Sequence, residues 1–510
     1  VTTVDADSAA AQAVLNVAVT TGFSVGDNVV IDPAGTGGGK EVRTIASIQA
    51  GASLTMTENL TYTHASPDKV SAVIFVDETA ASLDFHLAQN DTAAKNAGTD
   101  LSADAYLAFS DDIDGESRVI WDIGADETLP TEFVATVMET GGNFDTLAAW
   151  EDAIDSEANM DMTDAGTRVI AGSLTRGSFG NNAGITQTTT GATAVCVYDT
   201  STQMLIRGLS LSETPNATAT WYPTANGNDG TNAWTPTNTG EEVRVTAEID
   251  GPWTGGADAT AVTISGFTTD ATHYIKVYTT PAARHAGKWD DNKYALEVTT
   301  SYWVSPIRIL EEYVRVEGLQ LKATGSSGNW HVAIDITPPT STSDIQISHN
   351  IIRGVMSGTA DYMYGVKMGD SGNSPNTCRV WNNIIYGFKN GTNSAEGLTV
   401  YSHSPQYAYI YNNTCYGNRI GGYAHGDAHV VLKNNLFSGN DTDWDDYLGA
   451  PGVHSNNLTG DATSPDGAAY QNQVTTVDQD SANTGAILYV ADTSGFVADD
   501  NIVIDPDASG

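Results

Sequence analysis

A short strand-like pattern that ends in asparagine recurs five times in the last third of the chain. The segments are IQISHNIIRG at 345–354, CRVWNNIIYG at 378–387, AYIYNNTCYG at 408–417, VVLKNNLFSG at 430–439 and GVHSNNLTGD at 452–461. One column of asparagines, 22 to 33 residues apart, runs through them: Asn350, Asn383, Asn413, Asn435 and Asn457. The segment 314–323 fits the same register with Leu319 in the Asn column, and 204–211 is a weaker relative.

Repeats of this length with one short apolar strand each predict a parallel β-solenoid, because a single coil cannot bury its inner face alone. Strand periodicity places alternate residues inside; we expect an inner set of Ile345, Ile347, Val380, Ile410, Val430 and Leu432. Asparagine tolerates the left-handed conformation of a tight bend. The Asn column is therefore expected to form such bends and to hydrogen-bond from one coil to the next.

A second repeat joins two distant parts of the chain. Residues 1–37 and 474–510 align without a gap at an offset of 473, with 22 identities in 37 positions. In residues 1–78, segments 22–31, 41–48 and 54–64 are typical of short strands joined by Gly-Asp and Asn turns. We expect a small all-β module at 1–78 and the start of its second copy at 474–510. The chain would then be part of a tandem array, or its terminal segment would complete another subunit.

Residues 131–473 resemble right-handed parallel β-helix proteins of the pectin-lyase-like type, most clearly over 311–460. Segment 138–155 is similar to their opening segment, in which a short helix caps the first coil; Leu147, Trp150 and Ile154 then lie at helical spacing. Segment 262–287 is similar to one of their early coils. The module at 1–78 is similar to small all-β modules of phage fibres and bacterial surface proteins.

A stretch at 84–127, which ends in DIGADE, looks like the closing segment of such a β-helix, yet it precedes the opening segment. The order therefore looks permuted. We predict an all-β fold, namely a right-handed parallel β-helix (solenoid) plus a small β-sandwich or barrel-like module. The domains would be the module at 1–78, a permuted closing segment at 79–132, the β-helix at 133–473 and the second module copy at 474–510.

The net charge is −41, from 22 basic and 63 acidic residues. A charge of this sign repels phosphates, so no nucleic-acid partner is expected. No apolar window of 18 residues exists, so no membrane span is expected. Three cysteines in 510 residues cannot form a disulfide framework. Cys378 and Cys415 are expected in the core, in the columns of Ile345 and Ile385.

Polysaccharide lyases and hydrolases occur among β-helix proteins, and a hydrolase needs paired carboxylates. The column before the Asn pair contains no acidic pair: it is Glu317, Ser348, Trp381, Tyr411, Lys433 and Ser455. Whether the chain is an enzyme is left open, with no catalytic residue predicted. Trp381 and Tyr411 share an outward column on adjacent coils, so two rings about 4.8 Å apart could form a platform for glycans. The alternative is an aromatic stack beneath a loop.

Two groups of residues are candidate metal ligands. His425, Asp427 and His429 alternate, so on a single strand they would share one face and could hold a transition metal. The alternative is a corner with solvated histidines. The acidic cluster Asp111, Asp112, Asp114 and Glu116 could hold a structural Ca²⁺, as could Asp441, Asp443, Asp445 and Asp446, although neither forms a complete calcium loop. In so acidic a chain such clusters also arise without a ligand.

The repeats favour a non-catalytic structural subunit of an extracellular fibre, filament or surface assembly, whose partner is another copy of itself. Exposed solenoid ends would be covered by the next repeat or by a donated terminal segment. The alternatives are a phage tailspike-like or secreted polysaccharide-degrading β-helix protein and a glycan-binding adhesin. Each hypothesis places the chain outside the cell, on a cell surface or on a virion.

Overall fold

The computed structural model describes most of the first 466 residues. The described ranges are 1–35, 39–77, 84–88, 91–102, 112, 118, 121–125, 127–128, 130–155, 160–210, 215–225, 232–301, 303–325, 330–338, 342–356, 358, 362–369, 377–389, 394–401, 407–425, 429–446, 452–461 and 463–466. The chain divides into two compact units, Val1–Thr131 and Glu132–Gly510. The second copy of the N-terminal repeat, at 474–510, lies outside the described residues.

The first unit contains a six-stranded antiparallel sheet in the order β1-β6-β3-β4-β5-β2. Its strands are β1 Thr2–Thr3, β2 Val14–Asn16, β3 Asn28–Ile31, β4 Glu41–Gln49, β5 Ser53–Met56 and β6 Lys69–Ser71. A bridge between Val4 and Val17 links the two ends of the sheet. The buried apolar side chains of these strands form one cluster, which includes Leu15, Ile45 and Leu54. A separate antiparallel pair follows, β7 Phe75–Asp77 and β8 Asp84–Leu87.

The second unit begins with β9 Thr131–Val137 and the short helix α1, Leu147–Ile154. Thr146 caps α1, because its side chain accepts a hydrogen bond from the Ala149 backbone N–H at 3.1 Å. Leu147, Trp150 and Ile154 are fully buried in the same apolar cluster as the first coils, which confirms the predicted capping helix. The short strand β10, Met160–Asp161, follows the helix.

A closed six-stranded antiparallel barrel stands between α1 and the coils, and the sequence pattern did not predict it. Its strands are β11 Arg168–Arg176, β12 Ala183–Gln187, β13 Thr193–Asp199, β14 Gln203–Arg207, β15 Trp221–Pro223 and β16 Ala233–Pro236. Trp221 and Trp234 fill the barrel, whereas Val169, Val197 and Leu205 join the solenoid core. The assignment of 204–211 to a relative of the coil repeat is therefore wrong, since β14 pairs antiparallel with β11 and β13.

The rest of the unit is a parallel β-helix of three sheets. The first sheet contains β9 and then β17 Val243–Ile249, β20 Ile275–Thr279, β23 Tyr313–Glu317, β26 Asp344–Ser348, β29 Thr377–Trp381, β32 Tyr407–Tyr411, β35 His429–Lys433 and β38 Gly452–Ser455. The pairs from β17 onward are parallel.

The second and third sheets complete each coil. The second sheet consists of β21 Ala295–Thr299, β24 Gln320–Gly325, β27 Ile351–Met356, β30 Ile384–Tyr386, β33 Thr414–Tyr416, β36 Leu436–Ser438 and β39 Leu458–Thr459. The third consists of β18 Val262–Ile264, β22 Ile307–Ile309, β25 His331–Ile336, β28 Tyr362–Met368, β31 Ser394–Val400, β34 Ile420–Ala424 and β37 Thr442–Asp446. The strand β19, Phe267–Thr268, pairs in parallel with β10.

The predicted inner residues face the core. Ile345, Ile347, Val380, Ile410, Val430 and Leu432 are each at most 1% exposed, and burial of each such side chain stabilises the fold by about 1.5–3 kcal/mol. Cys378 aligns with Ile345 and Cys415 with Ile385, as expected. All three cysteines are buried and free. The predicted fold class, an all-β parallel β-helix with a small β-sandwich or barrel-like module, is confirmed, although the closed barrel lies at 168–236 and the predicted module at 1–78 contains the six-stranded antiparallel sheet.

Candidate functional site

The asparagine column forms a continuous hydrogen-bonded ladder between the first and second sheets. The Asn383 side-chain carbonyl accepts from the backbone N–H of Asn350 at 2.9 Å and from its side-chain amide at 3.1 Å. The same two bonds recur from Asn383 to Asn413, from Asn413 to Asn435 and from Asn435 to Asn457. All five side chains are almost fully buried. The ladder is thus an internal scaffold, because buried amides need these partners.

The left-handed bend lies one residue before the ladder, which differs from the expectation. Positive φ angles of 54° to 58° occur at His349, Asn382, Asn412, Asn434 and Asn456. The first member of each pair therefore turns the chain, and the second makes the bonds between coils. Asparagine suits both positions for different physical reasons.

A second, shorter ladder lies between the second and third sheets. The Asn418 side-chain carbonyl accepts from the Phe388 backbone N–H at 3.0 Å, and the Asn440 carbonyl accepts from the Asn418 N–H at 2.9 Å. Sequence reasoning missed this pair, although a Gly-Asn step follows the strand in both coils. The second sheet is thus flanked by an asparagine ladder on each side.

Trp381 and Tyr411 are register partners on β29 and β32, on the outer surface of the first sheet. Their rings do not form the expected stack. Trp381 meets His349 edge-on at 6.5 Å, and Tyr411 meets Tyr409 edge-on at 6.3 Å. Both residues are partly exposed, so both rings are accessible on the same surface. They do not form a two-ring platform.

The residues of the first predicted metal group do not share a strand. His425 follows β34 of the third sheet, whereas His429 begins β35 of the first sheet. His425 contacts Tyr401 at 5.3 Å, and His429 stacks on Tyr407 at 5.3 Å. The single strand on which this prediction depended is therefore not formed. Asp427 lies outside the described residues.

One residue of each acidic cluster, Asp112 and Asp443, accepts hydrogen bonds within the protein. Asp111, Asp114 and Glu116 lie outside the described residues, and Asp112 accepts a hydrogen bond from the Glu127 N–H at 3.3 Å. In the second cluster, Asp443 is buried and binds the Asn440 side-chain amide and the Gly460 backbone. Across the described part of the chain, no group of three or more His, Cys, Asp or Glu residues is arranged to hold a metal ion.

The outer surface of the third sheet holds a buried carboxyl group that sequence reasoning missed. Glu396 on β31 is 2% exposed, and its two oxygens accept hydrogen bonds from the Ser394 and Thr399 hydroxyls. Burial raises the pKa of Glu396 to about 7. The charge of Asp445 also raises this pKa, whereas the two hydrogen bonds lower it. The pKa of this carboxyl group therefore lies near neutral pH, and the group itself is enclosed by the protein.

Aromatic rings flank Glu396 on the same surface. Its register partner on β28 is Tyr364, and burial raises the pKa of that phenol, with a further contribution from Glu396. Trp330 lies against both Tyr362, at 5.1 Å, and Tyr364, at 5.8 Å. The surface thus combines apolar rings with a titratable acid.

A buried ion pair completes this region. The Lys367 ammonium lies 3.0 Å from Asp335, and both side chains are about 5% exposed or less. Arg308 approaches the same carboxylate at 3.5 Å. We name the set Glu396, Tyr364, Tyr362, Trp330 and Lys367 the third-sheet cluster. Glu396, Tyr364 and Lys367 are buried within the protein, and Tyr362 and Trp330 are partly exposed.

Sequence comparisons identify no relative of this chain. No protein-family model matches it, and no curated protein matches it. No helix among the described residues is long and apolar enough to cross a membrane.

Proposed function

We propose that the chain is a structural unit of an extracellular fibre, filament or surface assembly built from β-helix units in series. The observation that carries this proposal is the 37-residue repeat, whose two copies flank the β-helix at an offset of 473 residues. The described fold supports it, because a solenoid with a continuous core and two ladders suits a long mechanical element. The charge of −41 keeps such elements apart laterally.

The two ends of the β-helix are of different kinds. Helix α1 and the barrel contribute Trp150, Val169 and Leu205 to the core at the N-terminal end. At the other end, Val453 on β38 is 60% exposed and Leu458 on β39 is 40% exposed. The last strands, β38 and β39, each have a neighbour on one side only among the described residues, and such an edge favours pairing with a further segment. Such an assembly can form in two ways. The units can be linked covalently in tandem, or the terminal segment of one subunit can be donated to its neighbour.

A test compares the chain of residues 1–510 with a version that ends at residue 473. If the terminal segment is donated, light scattering finds oligomers of the first and monomers of the second. If the units are covalently linked in tandem, both versions are monomers and the natural gene product contains further copies. Monomers of both versions, together with a natural product of a single unit, would refute the proposal.

A further inference from the structure

The outer surface of the first sheet concentrates cation–aromatic contacts. Toward its N-terminal end these are Arg244 and Arg315 with Tyr274, at 5.5 and 3.5 Å, and Lys276 with Tyr278, at 4.7 Å. Toward the other end they are Arg379 over Tyr409 at 5.1 Å and Lys433 over Tyr411 at 5.7 Å. We name the outer residues Arg379, Trp381, Tyr407, Tyr409, Tyr411 and Lys433 the cation–aromatic face.

The charge of this face is unlike that of the rest of the chain. Basic residues number 22 against 63 acidic ones. On the face itself, the carboxylate that pairs with a cation is Asp344, 2.8 Å from Arg379. Lys433 is exposed, and no carboxylate of the described residues lies within 4.0 Å of its ammonium group. With Asp344 counted, the face carries a net charge of about +1 in a protein of −41, and Lys433 is the cation that complements an anionic partner.

The exposure of these groups distinguishes a binding surface from an internal stack. The Arg379 side chain is 46% exposed and Tyr407 is 44% exposed. Outer positions of a solenoid sheet can be small and polar, as Ser348 and Ser455 are in the same column. Four aromatic residues on two adjacent strands, in contact with exposed cations, therefore offer an apolar surface with charged groups beside it.

We propose that the cation–aromatic face binds an anionic polysaccharide. The apolar faces of sugar rings would pack on Trp381 and Tyr411, which lie on strands about 4.8 Å apart. Carboxylate or sulfate groups would bind Arg379 and Lys433 through charge-assisted hydrogen bonds. Since these residues lie on β29, β32 and β35, the polymer would run along the solenoid axis. The site depends neither on Glu396 nor on the assembly of units.

The test uses the full chain and a matched pair of probes, dextran sulfate and uncharged dextran, in affinity electrophoresis. We expect the wild type to be retarded by dextran sulfate and not by dextran, with weaker retardation as salt is raised. The double variant Arg379→Gln and Lys433→Gln should bind at least tenfold more weakly. Lys322→Gln on the second sheet, which removes one positive charge elsewhere, should bind like the wild type. Lys433→Gln alone, at an exposed position, should weaken binding several-fold without affecting folding.

Three results would overturn the proposal. The first is no retardation of the wild type by dextran sulfate. The second is equal binding by the wild type and the double variant when both show the same circular dichroism and melting temperature. The third is a dimer of the wild type that the double variant no longer forms, while polysaccharide binding by the double variant is unchanged. The face would then bind a second copy of the chain. Glu396→Gln should leave retardation unchanged, which separates this site from the third-sheet cluster.

Discussion

The carboxylate of Asp466 accepts a hydrogen bond from the Asn457 side-chain amide at 3.0 Å, so an aspartate takes the place that the next asparagine of the ladder would occupy. The same oxygen accepts the Asn457 backbone N–H. The ladder thus ends on an acceptor without a donor of its own. Asp466 thus satisfies the last described asparagine of the ladder without the amide of a further coil.

Removal of one asparagine from the middle of the ladder should destabilise the β-helix strongly. In Asn413→Ala, the backbone N–H of Asn383 loses its acceptor at 3.0 Å, and the Val380 carbonyl loses a donor at 2.8 Å. Buried groups without partners cost about 1–3 kcal/mol each, so we expect a loss of roughly 2–5 kcal/mol in urea unfolding. Asn292→Ala, at an exposed turn, is the control and should change stability by less than about 0.5 kcal/mol. Equal effects at both positions would contradict the structural role of the ladder.

The bend before the ladder should tolerate glycine better than alanine. Asn412 has a φ of 54°, a conformation that costs an ordinary L-residue about 1–2 kcal/mol. Asn412→Gly should therefore unfold at nearly the wild-type urea concentration, and Asn412→Ala at a lower one. The reverse order would show that the bend is not left-handed.

The capping helix should become less stable at alkaline pH. Glu151 on α1 accepts the Ser265 N–H at 2.9 Å, and Glu311 accepts the Phe267 N–H at 3.0 Å. Burial raises the pKa of each carboxyl group from 4.5 to about 8. A raised pKa means that the folded state holds its protons more tightly, so this stabilisation is complete below about pH 4.5 and is lost as the pH rises to about 8.

Glu151→Gln retains the acceptor oxygen and removes the charge. Between pH 5 and pH 9 the free energy of unfolding should fall for both proteins. The fall should be smaller for Glu151→Gln than for the wild type by about 1 kcal/mol or more, as measured by urea unfolding with tryptophan fluorescence. Glu58→Gln, at an exposed position, should follow the wild type. A Glu151→Gln profile parallel to that of the wild type would argue against a protonated carboxyl group beneath the helix.

The three thiols should resist modification in the folded protein. Cys196, Cys378 and Cys415 are buried, and burial raises the pKa of each thiol, so little reactive thiolate forms. A coloured thiol reagent should detect none within minutes under native conditions and three in denaturant. Rapid reaction of one thiol in the native protein would show that the core is open at that point.

The repeat pattern predicted the solenoid and its inner residues because Ile345, Val380 and Ile410 recur in a fixed relation to the asparagine. It did not predict the third-sheet cluster. Tyr364, Glu396 and Ile420 are register partners, yet the loops before them differ in length, so successive separations are 32 and 24 residues. The barrel was missed for another reason: antiparallel neighbours such as β11 and β16 are distant in sequence, and apolar strands with turn residues between them resemble coils.

The mass of the protein isolated from its natural source tests the central proposal most directly. A fibre or surface assembly built from units of this kind predicts a light-scattering mass well above the 53.6 kDa of the 510-residue chain, for a covalent tandem and for an assembly of subunits alike. A uniform particle of about 53.6 kDa would contradict it.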